Sequence, residues 1–140
     1  MKILVAADGS RYSKRMLAYL AAHDEWLGAM HTYTVLTVVP SLHARAASVL
    51  PKEVVKVHHE EEAERVLKPI RSFFAKQGLS AEFVAKTGDV AESIAAHANK
   101  GKYALLIMGS HGHGTLANLV LGSVATKVLA QCSTPVLLVR

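Results

Sequence analysis

Ile3-Leu4-Val5-Ala6-Ala7-Asp8-Gly9-Ser10 is an apolar run of strand length, halted by an acid, a glycine and a serine. A run without polar alternation fits a strand buried on both faces, the habit of parallel sheets. Directly behind it Ser10 reads as a helix N-cap, and Met16, Leu17, Leu20 and Ala21 recur at helical spacing. A strand feeding straight into a helix is the first half of a strand–helix–strand unit.

The remaining chain repeats that unit. Gly28 ends the first helix, and residues 31–39, with Thr32, Thr34, Val35, Thr37, Val38 and Val39, read as a strand stopped by Pro40. Residues 40–51, between Pro40 and Pro51, read as a loop with room for one helical turn. Residues 52–77 read as a long helix, because Val54, Val57, Val66, Ile70, Phe73 and Phe74 recur at three- and four-residue steps. Glu61 with Arg65 and Glu64 with Lys68 are spaced for i,i+4 pairing on its wet side. Pro69 removes one backbone bond and is expected to kink this helix, at a cost of about 3 kcal/mol. Strands over 81–86, 103–108 and 136–139, with helices over 89–99 and near 123–132, complete the alternation.

Such alternation specifies a single α/β domain over residues 1–140: a doubly wound, five-stranded parallel sheet with helices on both faces. The order 3-2-1-4-5 opens a crevice between the carboxyl ends of strands 1 and 4. Those ends carry Asp8-Gly9-Ser10 and Gly109-Ser110-His111-Gly112, the two unusual loops of the sequence. In the same order, residues 136–139 form a short apolar edge strand open to pairing with another chain.

Composition narrows the function classes. The 16 Lys and Arg against 11 Asp and Glu give a net charge of +5, yet no run of five like charges forms a nucleic-acid arm. Aromatics at 6% offer no stacking platform for bases, so no nucleic-acid partner is expected. No stretch reaches membrane-spanning length, and the opening apolar run stops at Asp8, too early for a signal peptide. Cys132 stands alone and cannot form an internal disulfide, which favours a reducing, cytoplasmic setting. It is expected to pack unreactively in the last helix.

The stretch from Gly109 to Ser123 is rich in glycine, which lets main-chain N–H groups turn toward an anion. Gly122-Ser123 then opens a helix whose first N–H groups and dipole favour phosphate. A Walker A loop is absent, because Gly101-Lys102 is followed by Tyr103. Gly112-x-Gly114-x-x-Ala117 satisfies the loose dinucleotide pattern, but no acid follows about 20 residues later to hold a ribose, which argues against NAD.

The spacing Gly109-x2-Gly112-x9-Gly122-Ser123 resembles the nucleotide-binding signature of the universal stress protein family. The resemblance covers the whole chain: Val5 to Ser10, Ile107 to Gly112 and Ser133 to Val139 are similar to the family's first strand and turn, its glycine loop and its closing strand. With every signature position present, the sequence resembles the branch that binds ATP. The resemblance implies that Asp8 meets the ribose and that the backbone around Val38 meets the adenine edge. It further implies that Gly109, Gly112, Gly122, Ser123 and Val124 supply main-chain or hydroxyl contacts, with Ala6, Ala7, Met108, His111 and Ala125 beside them. The expected ligand is ATP, with ADP or AMP as shorter alternatives and Mg²⁺ as companion ion. The expected assembly is a homodimer through residues 136–139, reporting stress or energy state to a protein partner.

Other candidates are read more plainly. Ser10 is a cap rather than a nucleophile, since no His–Asp partner can be placed beside it. His111 and His113 lack the further ligands a metal needs and read as phosphate-side or solvent-facing. His58, His59 and Glu62 read as a solvated helix face, and His43 and Arg45 as a surface loop. No Walker B pattern or arginine finger accompanies the glycine loop, so binding with little or no hydrolysis is expected, a slow ATPase being the alternative. Gly122→Val is expected to abolish binding and spare the fold.

Overall fold

The computed structural model describes residues 1–114 and 118–140. Its elements are β1 (Lys2–Ala6), α1 (Arg11–Ala22), α2 (Asp24–Leu27), β2 (Thr32–Val39), α3 (Ala44–Val49), α4 (Lys52–Lys76), β3 (Ala81–Thr87), α5 (Val90–Gly101), β4 (Leu105–Gly109), α6 (Ser123–Gln131) and β5 (Val136–Val139). The five strands form one sheet in the order β3-β2-β1-β4-β5, with every pairing parallel. This is the doubly wound order expected from the alternation.

β1 is central because its residues are apolar on both faces, and each face receives its own helices. Ile3, Val5 and Ala7 join Met16 and Leu20 of α1 and Val66, Leu67, Ile70 and Phe74 of α4 in one core layer. Leu4 and Ala6 point the other way, onto Ala91, Ile94 and Ala98 of α5 and Ala125 and Val128 of α6. Phe74 anchors the first layer between Tyr33 and Phe83, edge-on to both at 5.6 and 5.9 Å. A ring buried this fully is worth about 3–5 kcal/mol. Among the described residues no helix is long and apolar enough to cross a membrane.

Three local features depart from the sequence expectations. The first helix does not run to Gly28: it stops at Ala22, where His23 stacks on Tyr19 at 4.0 Å and its Nδ1 donates to the Tyr19 carbonyl at 2.9 Å. The short α2 follows because fully buried Leu27 draws the chain back to the core, and the Tyr33 hydroxyl donates to the Leu27 carbonyl. Burial raises the Tyr33 phenol above its ordinary pKa. Within 40–51, Ala44–Val49 forms more than one turn, α3, which buries no residue and rests on the helix propensity of its alanines.

α4 continues through Pro69. The carbonyl that loses its donor is that of Arg65, four residues back, and both residues are exposed, so water can replace the bond. The ion pairs on this helix also differ from the expected ones. Arg65 bonds Glu62 at 2.8 Å and Arg71 bonds Glu64 at 2.7 Å, in place of Glu61–Arg65 and Glu64–Lys68. These hydrogen bonds and charges hold both carboxyls below their ordinary pKa, although water screens both pairs.

Candidate functional site

β1 and β4 lie side by side, and past their carboxyl ends the chain leaves toward opposite faces. The gap is a cleft of about 400 Å³ at the point where the winding reverses. Ala6, Ala7 and Asp8 line it from β1 and its turn, Val38 from β2, and Met108 and Gly109 from β4. His111 and Gly112 line it from the glycine loop, and Gly122, Ser123, Val124 and Ala125 from the start of α6. All twelve residues singled out in the sequence therefore border one space.

Asp8 divides its carboxylate between two tasks. Oδ1 accepts from the Ser10 amide and from the Ser13 hydroxyl, each at 2.9 Å, and so fixes the turn into α1. Ser10 caps that helix through a longer contact from the Ser13 amide, 3.4 Å. Oδ2 looks across at Gly112, where a Cβ would lie 2.9 Å from it. A side chain there would push the carboxylate aside.

Val38 presents backbone. Leu36 gives its carbonyl to Ala7 on the β1 side, and Val39 gives its carbonyl to Gly88 on the β3 side. Alternation along the strand thus turns the N–H and C=O of Val38 toward β1, which has already ended at Ala6. Among the described residues this donor and acceptor have no partner beyond the end of β1, and Val38 borders the cleft.

The start of α6 corrects one expectation. The Gly122 amide is not free for an anion, because it donates to the Ser110 carbonyl at 2.8 Å. The Gly122 carbonyl accepts from the amide of Thr126 at 3.0 Å and from its hydroxyl at 2.9 Å. The N–H groups of Ser123, Val124 and Ala125 have no partner within the helix and no protein acceptor among the described residues. A Cβ on Gly122 would lie 3.0 Å from His111 Cα and 3.1 Å from the Ser110 carbonyl oxygen. Gly122→Val would therefore displace loop backbone, so it is not the fold-neutral probe expected from the sequence.

The two histidines hold the loop. The Leu119 carbonyl can only accept, so His111 Nε2 donates to it at 2.8 Å, and in the neutral ring Nδ1 takes the Ser110 hydroxyl at 2.8 Å. The same ring packs on Tyr12 at 4.9 Å. His113 Nε2 donates to the Asp8 carbonyl at 2.7 Å and ties the loop to the β1 turn. Among the described residues no three His, Cys, Asp or Glu side chains gather to hold a metal.

Sequence reasoning passed over Glu62, Arg65 and Val66 of α4 and Val90 and Ile94 of α5, which also border the cleft. Periodicity shows which side of α4 meets the core, not that its outer turns overhang the end of the sheet. His43 and Arg45 are exposed and lie outside the cleft lining.

An open parallel sheet with a cleft at its switch point defines a broad class of α/β ligand-binding folds. Comparison narrows the class. The model of the universal stress protein family matches residues 1–140. Universal stress protein YxiE of Bacillus subtilis is 30% identical over 145 residues, covering 99% of this chain and 98% of its own. The solved structure of hypothetical protein MJ0577 superposes with a TM-score of 0.83 at 27% identity, covering 99% of this chain and 94% of that one. An Arabidopsis thaliana protein of the family, At3g01520, solved with AMP bound, superposes with a TM-score of 0.70 at 18% identity over 99% and 90% of the two chains. The chain belongs to the universal stress protein family.

Proposed function

We propose that this chain is a regulatory module of stress or energy-state response that binds an adenine nucleotide, ATP foremost, with little or no hydrolysis. One observation carries the reading: Ser123, Val124 and Ala125, whose N–H groups have no protein acceptor among the described residues, border the same cleft as Asp8 and Val38. Phosphates suit the α6 amides and helix dipole, a ribose diol suits the carboxylate, and the adenine edge suits a neighbouring donor and acceptor. The AMP held by the Arabidopsis relative supports an adenine nucleotide as the ligand class.

Magnitudes favour a whole nucleotide. Three amides and the Ser123 hydroxyl, at roughly 1.5–3 kcal/mol for each charge-assisted bond, give about 6–12 kcal/mol gross. Association consumes about 4–15 kcal/mol of that, so free phosphate would bind weakly and burial of the base between apolar walls must add to it. Mg²⁺ would accompany a polyphosphate tail on the tail's own oxygens. β5, the edge strand, pairs with β4 alone among the described residues; its free edge is the surface proposed for a homodimer, and the cytoplasm the proposed compartment.

The test is to extract and identify small molecules from the purified protein, then to titrate ATP, ADP and AMP with and without Mg²⁺. ATP at 100 times its Kd should add about 2.7 kcal/mol of stability. Absence of any thermal shift with all three would defeat the reading. Turnover near 1 s⁻¹, at the low end for enzymes, would replace the regulatory module with an ATPase.

A further inference from the structure

We propose that His113 supplies the positive charge that meets the phosphate tail, by taking up a proton as the ligand enters. This rests on the nucleotide reading above and extends it to a residue and a protonation state.

The argument begins with what the loop lacks. From Gly109 to Ser123 there is no Lys or Arg, and His111 and His113 are its only residues able to become cations. The charged side chains bordering the cleft are Asp8 from the β1 turn and Glu62 and Arg65 from α4. Arg65 is already paired with Glu62 at 2.8 Å. α5 and α6 bring only uncharged residues to the lining, among them Val90, Ile94, Ser123 and Val124. On α1, Arg11 and Arg15 place their guanidinium groups over the Tyr12 ring, at 5.1 and 5.4 Å, and neither borders the cleft. With both imidazoles neutral, one positive and two negative side chains leave the lining at a net charge of −1. The dipole of α6 offsets roughly half a charge. Without Mg²⁺, a tail with two or more negative charges meets no net positive side-chain charge in this lining.

Of the two imidazoles, His111 is committed at both nitrogens, to Ser110 and to Leu119. His113 is exposed, and among the described residues it bonds only through Nε2, to the Asp8 carbonyl, so protonation of Nδ1 leaves that bond in place. The carbonyl also accepts more strongly from an imidazolium, so the tie to Asp8 tightens as the ring charges. An anion beside the ring favours its charged form, and the complex then holds more protons than the free protein. Affinity should therefore rise as pH falls.

The test is calorimetric titration with ATP in EDTA, in buffers of different ionisation enthalpy, on the wild type and on His113→Gln. The glutamine amide can still donate to Asp8, so the loop keeps its tie. The wild type should take up about half to one proton more than the variant. Its affinity should be about tenfold higher near pH 6.5 and converge with the variant's near pH 8.5. Adenosine, which has no tail, should bind both proteins alike. Equal proton uptake, or an affinity gap independent of pH, would overturn the role of His113 while the nucleotide reading stands. If the wild type binds no adenine nucleotide, with or without Mg²⁺, both fall together.

Discussion

α5 and α6 both start from the carboxyl ends of strands and pack on the same face, yet their first turns are built in opposite ways. α5 is closed by its own chemistry: the Asp89 carboxylate accepts from the Glu92 amide at 2.9 Å, and Glu92 adds a second negative charge to the turn. α6 starts at Gly122 with no side-chain cap and no acid in its first turn. Elsewhere α6 is well secured. Ala125 and Val128 are buried against the sheet, and Asn99 of α5 donates to the Gln131 carbonyl at 3.0 Å and accepts from the Ser133 amide at 3.1 Å. The looseness is confined to the N-terminal turn. A side-chain cap there would stabilise the helix by about 1 kcal/mol, and its omission leaves the positive end of the dipole facing the cleft.

The sharpest way to break this contrast is to give α6 the acid that α5 has. Ser123 is exposed at the first helical position, so Ser123→Asp meets no packing obstacle. A carboxylate there should leave stability unchanged or raise it by about 0.3–1 kcal/mol through the dipole. Against a phosphate about 4 Å away, at an effective dielectric near 20, it should repel by up to about 4 kcal/mol. ATP affinity should therefore fall by about 100-fold or more while the melting temperature holds or rises. Undiminished affinity in a calorimetric titration would show that the open turn is not where the anion sits.

The reciprocal change sharpens the contrast from the other side. Asp89→Ala removes the cap of α5 and should cost about 0.5–2 kcal/mol in a denaturant titration. Asp89 does not border the cleft, so ATP affinity should be unchanged once the variant is folded. A parallel loss of affinity would mean that the two helices are coupled and that the comparison is not one of independent turns.

The sequence disclosed these elements unevenly, for physical reasons. β1 was legible because a strand buried on both faces is written as an unbroken apolar run, β2 because β-branched residues crowd the stretch up to Pro40, and β5 as a short apolar run. The glycine loop was legible because its spacing is unusual and its place at the switch point follows from strand order. What could not be read is which amides remain free. Glycine spacing marks the loop alike whether the Gly122 N–H points to a ligand or, as here, to Ser110. The break at His23 was hidden for a similar reason: it depends on a ring stacked on Tyr19 and on the Tyr33 hydroxyl, partners that helical periodicity does not register. Glu62 and Arg65 were read as the wet side of α4, which is correct for the helix alone and incomplete once its outer turns overhang the cleft.

The far end of α5 gives the finest test of how that helix is fastened. His97 stacks on Tyr103 at 5.8 Å and its Nε2 lies 3.2 Å from the tyrosine hydroxyl, at the opposite end from Asp89. Burial, reinforced by the nearby charge of Lys86, depresses the imidazole pKa below its ordinary value. The folded protein therefore binds fewer protons here than the unfolded chain does. The resulting stability is complete above the unfolded pKa, near 6.5, and declines as pH falls below it until the folded pKa is reached. The half-exposed position keeps the effect small. Between about pH 7 and 5.5 the melting temperature of His97→Gln should drop by about 1–2 °C less than that of the wild type. The ATP affinities of the two proteins should stay equal, because His97 lies at the end of α5 away from the cleft. Identical pH slopes would show that this end of α5 is fastened by packing alone, and that the asymmetry between the two helices is confined to their first turns.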